Sequence, residues 1–233
     1  MYPDGLQTPQ ATMYRSVATW FITWLVSSFC VHTLWLRSPD GDPKRRHRRW
    51  PCVFVATIAS VQLIDAVLCY SLGNGQTVVN LFVSRFVLPS ALICEPLVAY
   101  YGAVRWAGWS SRPYHVVLLA YTGFLWGLWI SSCVRNSVPV PPEGFLDWCQ
   151  MGDTFFSPTF KWSFAMFLFV PFLVAYPRGP IRWAMLLGIV LTFCVNYGHP
   201  AFGARWCWTA NGVSLLLPSL AMWEDHRSKH LAL

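Results

Sequence analysis

The sequence predicts an all-α polytopic membrane protein, a bundle of seven transmembrane helices forming a single domain over residues 1–233. Three observations predict it. Charged residues make up 12% of the chain, about half of the quarter usual in soluble domains. Apolar residues make up 55%, and fourteen tryptophans are among them. Most of these apolar residues gather into seven runs close to the roughly 20 residues that a spanning helix needs. A soluble fold of this length could not cover so much apolar surface with so few charges.

The first run, residues 16–36, reads "SVATWFITWLVSSFCVHTLWL". It is longer than the apolar core of a signal peptide and its positive charges follow it, so it is expected to be a retained anchor. The second run is 51–72, the third 81–104, the fourth 116–134 and the fifth 158–176. The sixth, 183–197, is the shortest, and the seventh is 204–223. Between them stand brief connections such as "GNGQTVVN", "PRGPIR" and "GHPAFG", rich in turn-forming residues. Only residues 135–157 are long enough to hold structure of their own.

Basic residues orient the bundle through the positive-inside rule. The loop at residues 37–49 carries Arg37, Lys44, Arg45, Arg46, Arg48 and Arg49. If it is cytoplasmic, alternate connections add Arg105, Arg112, Arg178, Arg182, Arg227 and Lys229, twelve of the seventeen. The other side collects Arg15, Arg85, Arg135, Lys161 and Arg205, with Glu143, Asp147 and Asp153 in its long connection. The expectation is an external N-terminus and a cytoplasmic C-terminus.

The net charge of +7 does not point to nucleic acid, because the basic residues lie between apolar runs. The basic loop is chiefly a topology signal and a candidate contact for anionic lipid. The eight cysteines have no metal-ligand spacing, and His32, His115 and His199 fall at opposite ends, so neither metal nor cofactor is expected. Most cysteines, Cys30, Cys94 and Cys194 among them, read as buried small apolar residues. Cys133 and Cys149 would pair if both face an oxidising compartment.

Four polar side chains interrupt the oil. Gln62 and Asp65 sit three apart in "ATIASVQLIDAVLCYSLG", Glu95 lies in "PSALICEPLVAYYG", and Asn211 lies in the seventh run. At about 1.5 Å per residue, Gln62, Glu95 and Asn211 fall roughly 17, 14 and 18 Å from the cytoplasmic end, with Asp65 about one turn beyond. An acid at that depth costs about 2.5–3.5 kcal/mol on insertion scales, so it must face protein or water. Small neighbours at helical spacing agree: Ala91, Ala99 and Gly102 beside Glu95; Ala59, Ala66 and Cys69 beside Gln62; Cys207, Ser214 and Pro218 beside Asn211. Pro89 and Pro96 each remove a backbone donor and should leave carbonyls near Arg85 and Leu92 unpaired. Such a slab serves either as interhelical glue or as an ion or ligand site. Arg85, Lys161 and Arg205 lie near the outer interface, where they either snorkel or form a cationic funnel.

Two families resemble parts of this pattern. The topology resembles that of microbial rhodopsins, but "ARWCWTANGVSLLLPSLAMW" lacks the lysine that would bind retinal. The patches "ASVQLID", "ICEPL" and "GARWCW" resemble an uncharacterised seven-helix membrane protein family of large DNA viruses of algae and amoebae. In that family a Gln/Glu pair, a Gln-Pro-Leu-like element and a Trp-Cys pair would correspond to Gln62, Asp65, Glu95, Pro96, Leu97, Trp206 and Cys207. Glu95 departs from the expected amide. The resemblance implies the same topology and singles out the same buried polar residues, without a substrate.

The functional expectation is a channel or transporter for protons or small cations, with Asp65 and Glu95 titrating or coordinating and Gln62 and Asn211 as neutral ligands. Alternatives are a membrane sensor that binds a ligand from outside and, third, an intramembrane enzyme, for which no catalytic residue stands out. Membrane lipid is the expected partner, and association of copies is left open.

Overall fold

The computed structural model describes residues 9–39, 41–42, 45–133, 135–140, 145–148, 158–199 and 201–230. Seven helical rods account for most of them. They are α1 (Pro9–Leu36), α2 (Arg49–Gly73), α3 (Thr77–Ala107), α4 (Arg112–Ser132), α5 (Pro158–Ala175), α6 (Pro180–Asn196) and α7 (Phe202–His230). Two three-residue strands, β1 (Val138–Val140) and β2 (Phe145–Asp147), pair antiparallel between α4 and α5, with Pro139 opposite Leu146.

The stretches Val17–Leu36, Arg46–Gly73, Thr77–Ala107 and Arg112–Ser132 are long and apolar enough to cross a membrane. The apolar stretches Thr159–Ala175 and Pro180–Asn196 are shorter. The rods bury an apolar core and also expose apolar side chains outward. Large apolar side chains lie exposed on every rod, including Phe29, Val67, Phe82, Phe124, Met166, Leu191 and Leu216. A soluble monomer rarely exposes apolar surface on this scale. The buried side chains include Gln62, Asp65, Glu95 and Asn211.

Rod α2 packs against α1, α3 and α7, α3 also packs against α4 and α5, and α6 joins α5 to α7. Close approach needs small residues at two crossings. A Cβ on Gly102 would come within 2.0 Å of the Trp50 ring, so α2 and α3 meet there without a side chain between. Trp50 stacks on Phe172 at 4.4 Å, and Phe54 and Tyr176 complete an aromatic layer at the basic-loop end. The other crossing, at Gly203, belongs to the site described below.

At the basic-loop end, buried Arg48 holds two carboxylates of α7. Its Nη2 and Nε donate to Oε2 of Glu224 at 2.9 and 3.2 Å, and its Nη1 donates to Oδ1 of Asp225 at 2.9 Å. Arg49 donates to the Ser38 carbonyl at 2.6 Å and lies over the Trp35 ring. Thus Arg45, Arg48 and Arg49 of the expected lipid-binding loop are engaged within the protein, while Arg37 and Arg46 are exposed. Lys44 lies outside the described residues.

Several expectations need correction. The third rod begins at Thr77, so "TVVN" is helical and the turn shrinks to the residues around Gly75, whose φ is +67°. The seventh rod runs on past Trp223, since neither Gly nor Pro follows and the Arg48 pairing holds Glu224 and Asp225. Cys94 and Cys194 are exposed and Cys30 is half-buried; among the described residues the buried free cysteines are Cys52, Cys69 and Cys207. Cys133 is disulfide-bonded, and its expected partner Cys149 lies outside the described residues, as do Glu143 and Asp153.

The proline expectation for α3 is also revised. Residues Val83–Val87 form a π turn, and the Leu88 N–H donates to the Val83 carbonyl five residues back. In that register Pro89 deprives Ser84, not Arg85, of its donor. The indole of Trp129 on α4 supplies it, donating to the Ser84 carbonyl at 3.0 Å. The helix irregularity is therefore closed by protein.

Candidate functional site

Three rods build the polar slab: α2 contributes Gln62 and Asp65, α3 contributes Glu95, and α7 contributes Asn211. Gln62, Asp65 and Glu95 are 0% exposed and Asn211 is 2% exposed. Their small neighbours Ala59, Ala66, Ala99, Cys207 and Ser214 are buried with them, so these helix faces turn inward.

Cys207 of α7 meets Glu95 of α3. Its thiol donates to Oε1 of Glu95 at 3.7 Å and lies within electrostatic reach of both Glu95 and Asp65. The neighbouring Trp206 is 2% exposed, and its indole N–H has no hydrogen-bond partner among the described residues. One turn along α7, the Asn211 amide donates to the Cys207 carbonyl at 2.9 Å, and Ser214 donates to the Asn211 carbonyl at 2.6 Å. Ser214 also meets Ser27 of α1 at 3.2 Å.

Asp65 has a partner from outside the rods. The indole N–H of Trp148, one residue past β2, donates to Oδ1 of Asp65 at 2.8 Å. Trp148 is 1% exposed, and a Cβ on Gly203 would come within 2.0 Å of its ring. The absence of a side chain at Gly203 thus makes room for the indole over the start of α7.

Five polar atoms of the slab have no hydrogen-bond partner within the described protein: Oε1 and Nε2 of Gln62, Oδ2 of Asp65, Oε2 of Glu95 and Oδ1 of Asn211. Buried polar groups are nearly always paired, so five such atoms on three adjoining rods are unusual. A carboxyl oxygen, an amide and a thiol in this arrangement can accept, donate and exchange protons. Among the described residues no group of three or more His, Cys, Asp or Glu side chains could hold a metal ion.

Two hollows are apolar. One of about 20 Å³ lies beside Pro89, Pro96 and Phe164; the other, of about 430 Å³, is an open groove on the outer surface between α6 and α7, past Gly188 and Gly212. Neither is lined by Gln62, Asp65, Glu95 or Asn211.

The outer cations act locally. Arg85 donates from Nε to the Ile130 carbonyl at 2.8 Å, in the last turn of α4. Lys161 donates to the Tyr197 carbonyl at 2.7 Å, just past α6, and lies over the rings of Tyr197 and Phe202. Helix C-termini expose carbonyls and carry partial negative charge, which both cations satisfy. Arg205 is half-buried on α7. The structure therefore gives Arg85 and Lys161 capping contacts separate from the acids.

Sequence reasoning missed Trp148. It also missed the buried contact made by Asn80, Ser84 and Ser137. Ser137 N–H donates to Oδ1 of Asn80 at 2.9 Å, and the Ser84 and Ser137 hydroxyls meet at 2.6 Å. These contacts dock the segment before β1 onto α3. A short polar residue near a helix start carries little signal for such a partner.

No family model matches the chain, and no curated protein or solved structure matches it either.

Proposed function

We propose that this chain is a multi-pass integral membrane protein that crosses the bilayer seven times and conducts or transports protons through its buried acidic slab. Asp65 and Glu95 are the proton-exchanging groups, and Gln62 and Asn211 are neutral hydrogen-bonding relays. The observation that carries this reading is the full burial of two acids, one of them hydrogen-bonded to Cys207, with polar atoms on all three rods that have no partner among the described residues. Interhelical glue would gain from pairing those atoms with one another; a relay needs free donor and acceptor positions.

Protons fit better than metal cations. A hard cation stripped of water requires about six or more oxygen ligands. The carbonyl that Pro89 frees on α3 is taken by Trp129. The three patches that carry the viral resemblance also meet here, through Asp65, Glu95, Trp206 and Cys207.

Orientation follows the charge asymmetry, with the basic loop cytoplasmic and the hairpin outside. The disulfide at Cys133 supports this, because disulfides persist in oxidising compartments and Cys133 lies at the end opposite Arg48. The exposed Arg37 and Arg46 are the residues left to meet anionic lipid headgroups. A sensor is the second reading, favoured by the contact from the hairpin to Asp65.

The test is reconstitution into vesicles enclosing a pH-sensitive dye. After an external acid pulse, the lumen should acidify faster than in protein-free vesicles, and exchanging sodium for potassium should leave the rate unchanged. Acidification no faster than in protein-free vesicles would reject the transport reading.

A further inference from the structure

The outer groove between α6 and α7 is apolar along its length and polar at one end. Its volume is about 430 Å³, and none of its lining residues carries a charge. From Ala184 to Val195 it follows α6 for about 17 Å at 1.5 Å per residue, a little over half of a hydrocarbon core of roughly 30 Å. Exposed Leu187, Leu191 and Leu216 wall it. A Cβ on Gly188 would come within 2.5 Å of Val213, so the helices cross closely there, whereas a Cβ on Gly212 would meet nothing within 4 Å. Glycine weakens a helix interior, and at Gly212 no neighbour inside the protein requires it; what it leaves is room in the groove. The polar end is at Asn196, the last residue of α6, far from Gly179, which meets Glu224 at the basic-loop end. Asn196 is 0% exposed, and its Nδ2 donates to the Thr192 carbonyl and to Oγ1 of Thr209, both at 2.8 Å. Both threonines line the groove. Oδ1 of Asn196 has no partner among the described residues. An amide oxygen only accepts, so this end calls for a donor, and the soft terminal torsion of Asn lets the amide turn to meet one.

We propose that this groove is a binding site for a sterol: a rigid apolar ring body lies over Gly212, and its single hydroxyl donates to Oδ1 of Asn196 beside Thr209. The proposal rests on the reading of the chain as a membrane-spanning protein and is independent of the acidic slab. Three features favour a sterol over a phospholipid. The lining offers hydroxyls and an amide but no cation for a phosphate, and Arg205 stands a turn beyond Thr209. A rigid body gives up less conformational freedom on binding than a flexible acyl chain does. The polar end coincides with the end of α6, so a hydroxyl there sits at the membrane interface while the rings stay in hydrocarbon.

The test is photolabelling in phosphatidylcholine vesicles with a sterol that carries a diazirine on its rings, the attachment sites being mapped by mass spectrometry. Label should fall on the α6 and α7 peptides that line the groove and be suppressed by excess unmodified sterol. Gly212→Leu fills the groove without meeting a neighbour, so it should fold and cut labelling by about tenfold. Gly123→Leu, on the exposed face of α4 where a Cβ also meets nothing within 4 Å, should leave labelling unchanged. The 3-ketone of the same sterol accepts but cannot donate, and should compete about tenfold more weakly than the alcohol. Undiminished labelling of the groove in Gly212→Leu, or equal competition by the ketone, would overturn the proposal. Competition by an anionic phospholipid, lost in Arg205→Gln, would assign the groove to phospholipid instead. Cross-links between copies that disappear in Gly212→Leu would assign it to a second copy. Labelling does not depend on flux: a labelled groove in vesicles that move no protons would keep the sterol site and discard the transport reading, and proton movement with an unlabelled groove would do the reverse.

Discussion

The indole of Trp148 and the carboxyl of Asp65, 83 residues apart in sequence, share a 2.8 Å hydrogen bond in the buried interior. The bond ties the hairpin to α2 and leaves Asp65 with one satisfied oxygen and one that has no partner among the described residues. Its energetic weight can be separated from the steric role of the ring. Trp148→Phe leaves Oδ1 of Asp65 buried without its donor, which costs about 1–3 kcal/mol. Thermal unfolding in detergent should show that loss. Asp65→Asn retains a carbonyl oxygen for the indole and should cost less.

At the opposite end, Glu224 provides a pH-dependent element. Burial is the stronger influence and lifts its carboxyl above the ordinary range, while Arg48 pulls it down. A raised folded value means that the folded state binds more protons than the unfolded chain. The associated stability is complete below the unfolded value of about 4.3 and is lost as pH rises through the folded value. Arg48→Gln removes the opposing pull, so the loss should continue to higher pH. Melting temperatures measured across pH for wild type and Arg48→Gln check the direction. A pH profile unaltered by the substitution would remove Arg48 from this account.

Close contact between α2 and α3 rests on Gly102. Its replacement by Ala would put a methyl 2.0 Å from the Trp50 ring, which is itself stacked on Phe172. Overpacking of this kind costs about 1–3 kcal/mol. Gly102→Ala should therefore lower thermal stability, and Trp50→Phe in the same chain should restore part of it. Gly127, whose Cβ would meet nothing within 4 Å, should accept Ala with little change.

The sequence made the buried polar positions legible for a physical reason: hydrocarbon tolerates an acid or an amide only when it faces inward. Gln62, Asp65, Glu95 and Asn211 could be placed on inward faces before any coordinates. Small residues at steps of three and four named those faces. The partner groups were not legible. Tryptophan is common throughout this chain, so nothing distinguishes Trp148 as a core residue in a polar connection. Pro89 announced a lost donor, but the π turn that moves the loss to Ser84 depends on packing against Trp129. Likewise, Arg85 and Lys161 read as snorkelling or funnel cations because charge is visible in sequence, whereas the helix ends they cap are brought to them by the fold.

The most direct test of the account is proton flux in vesicles carrying Asp65→Asn or Glu95→Gln. Each substitution keeps size and burial but removes an exchangeable proton. Both variants should purify with wild-type helicity and monodispersity while flux falls by about tenfold or more, equivalent to about 1.4 kcal/mol in the barrier. Wild-type flux in both variants would contradict the claim that these acids carry the proton.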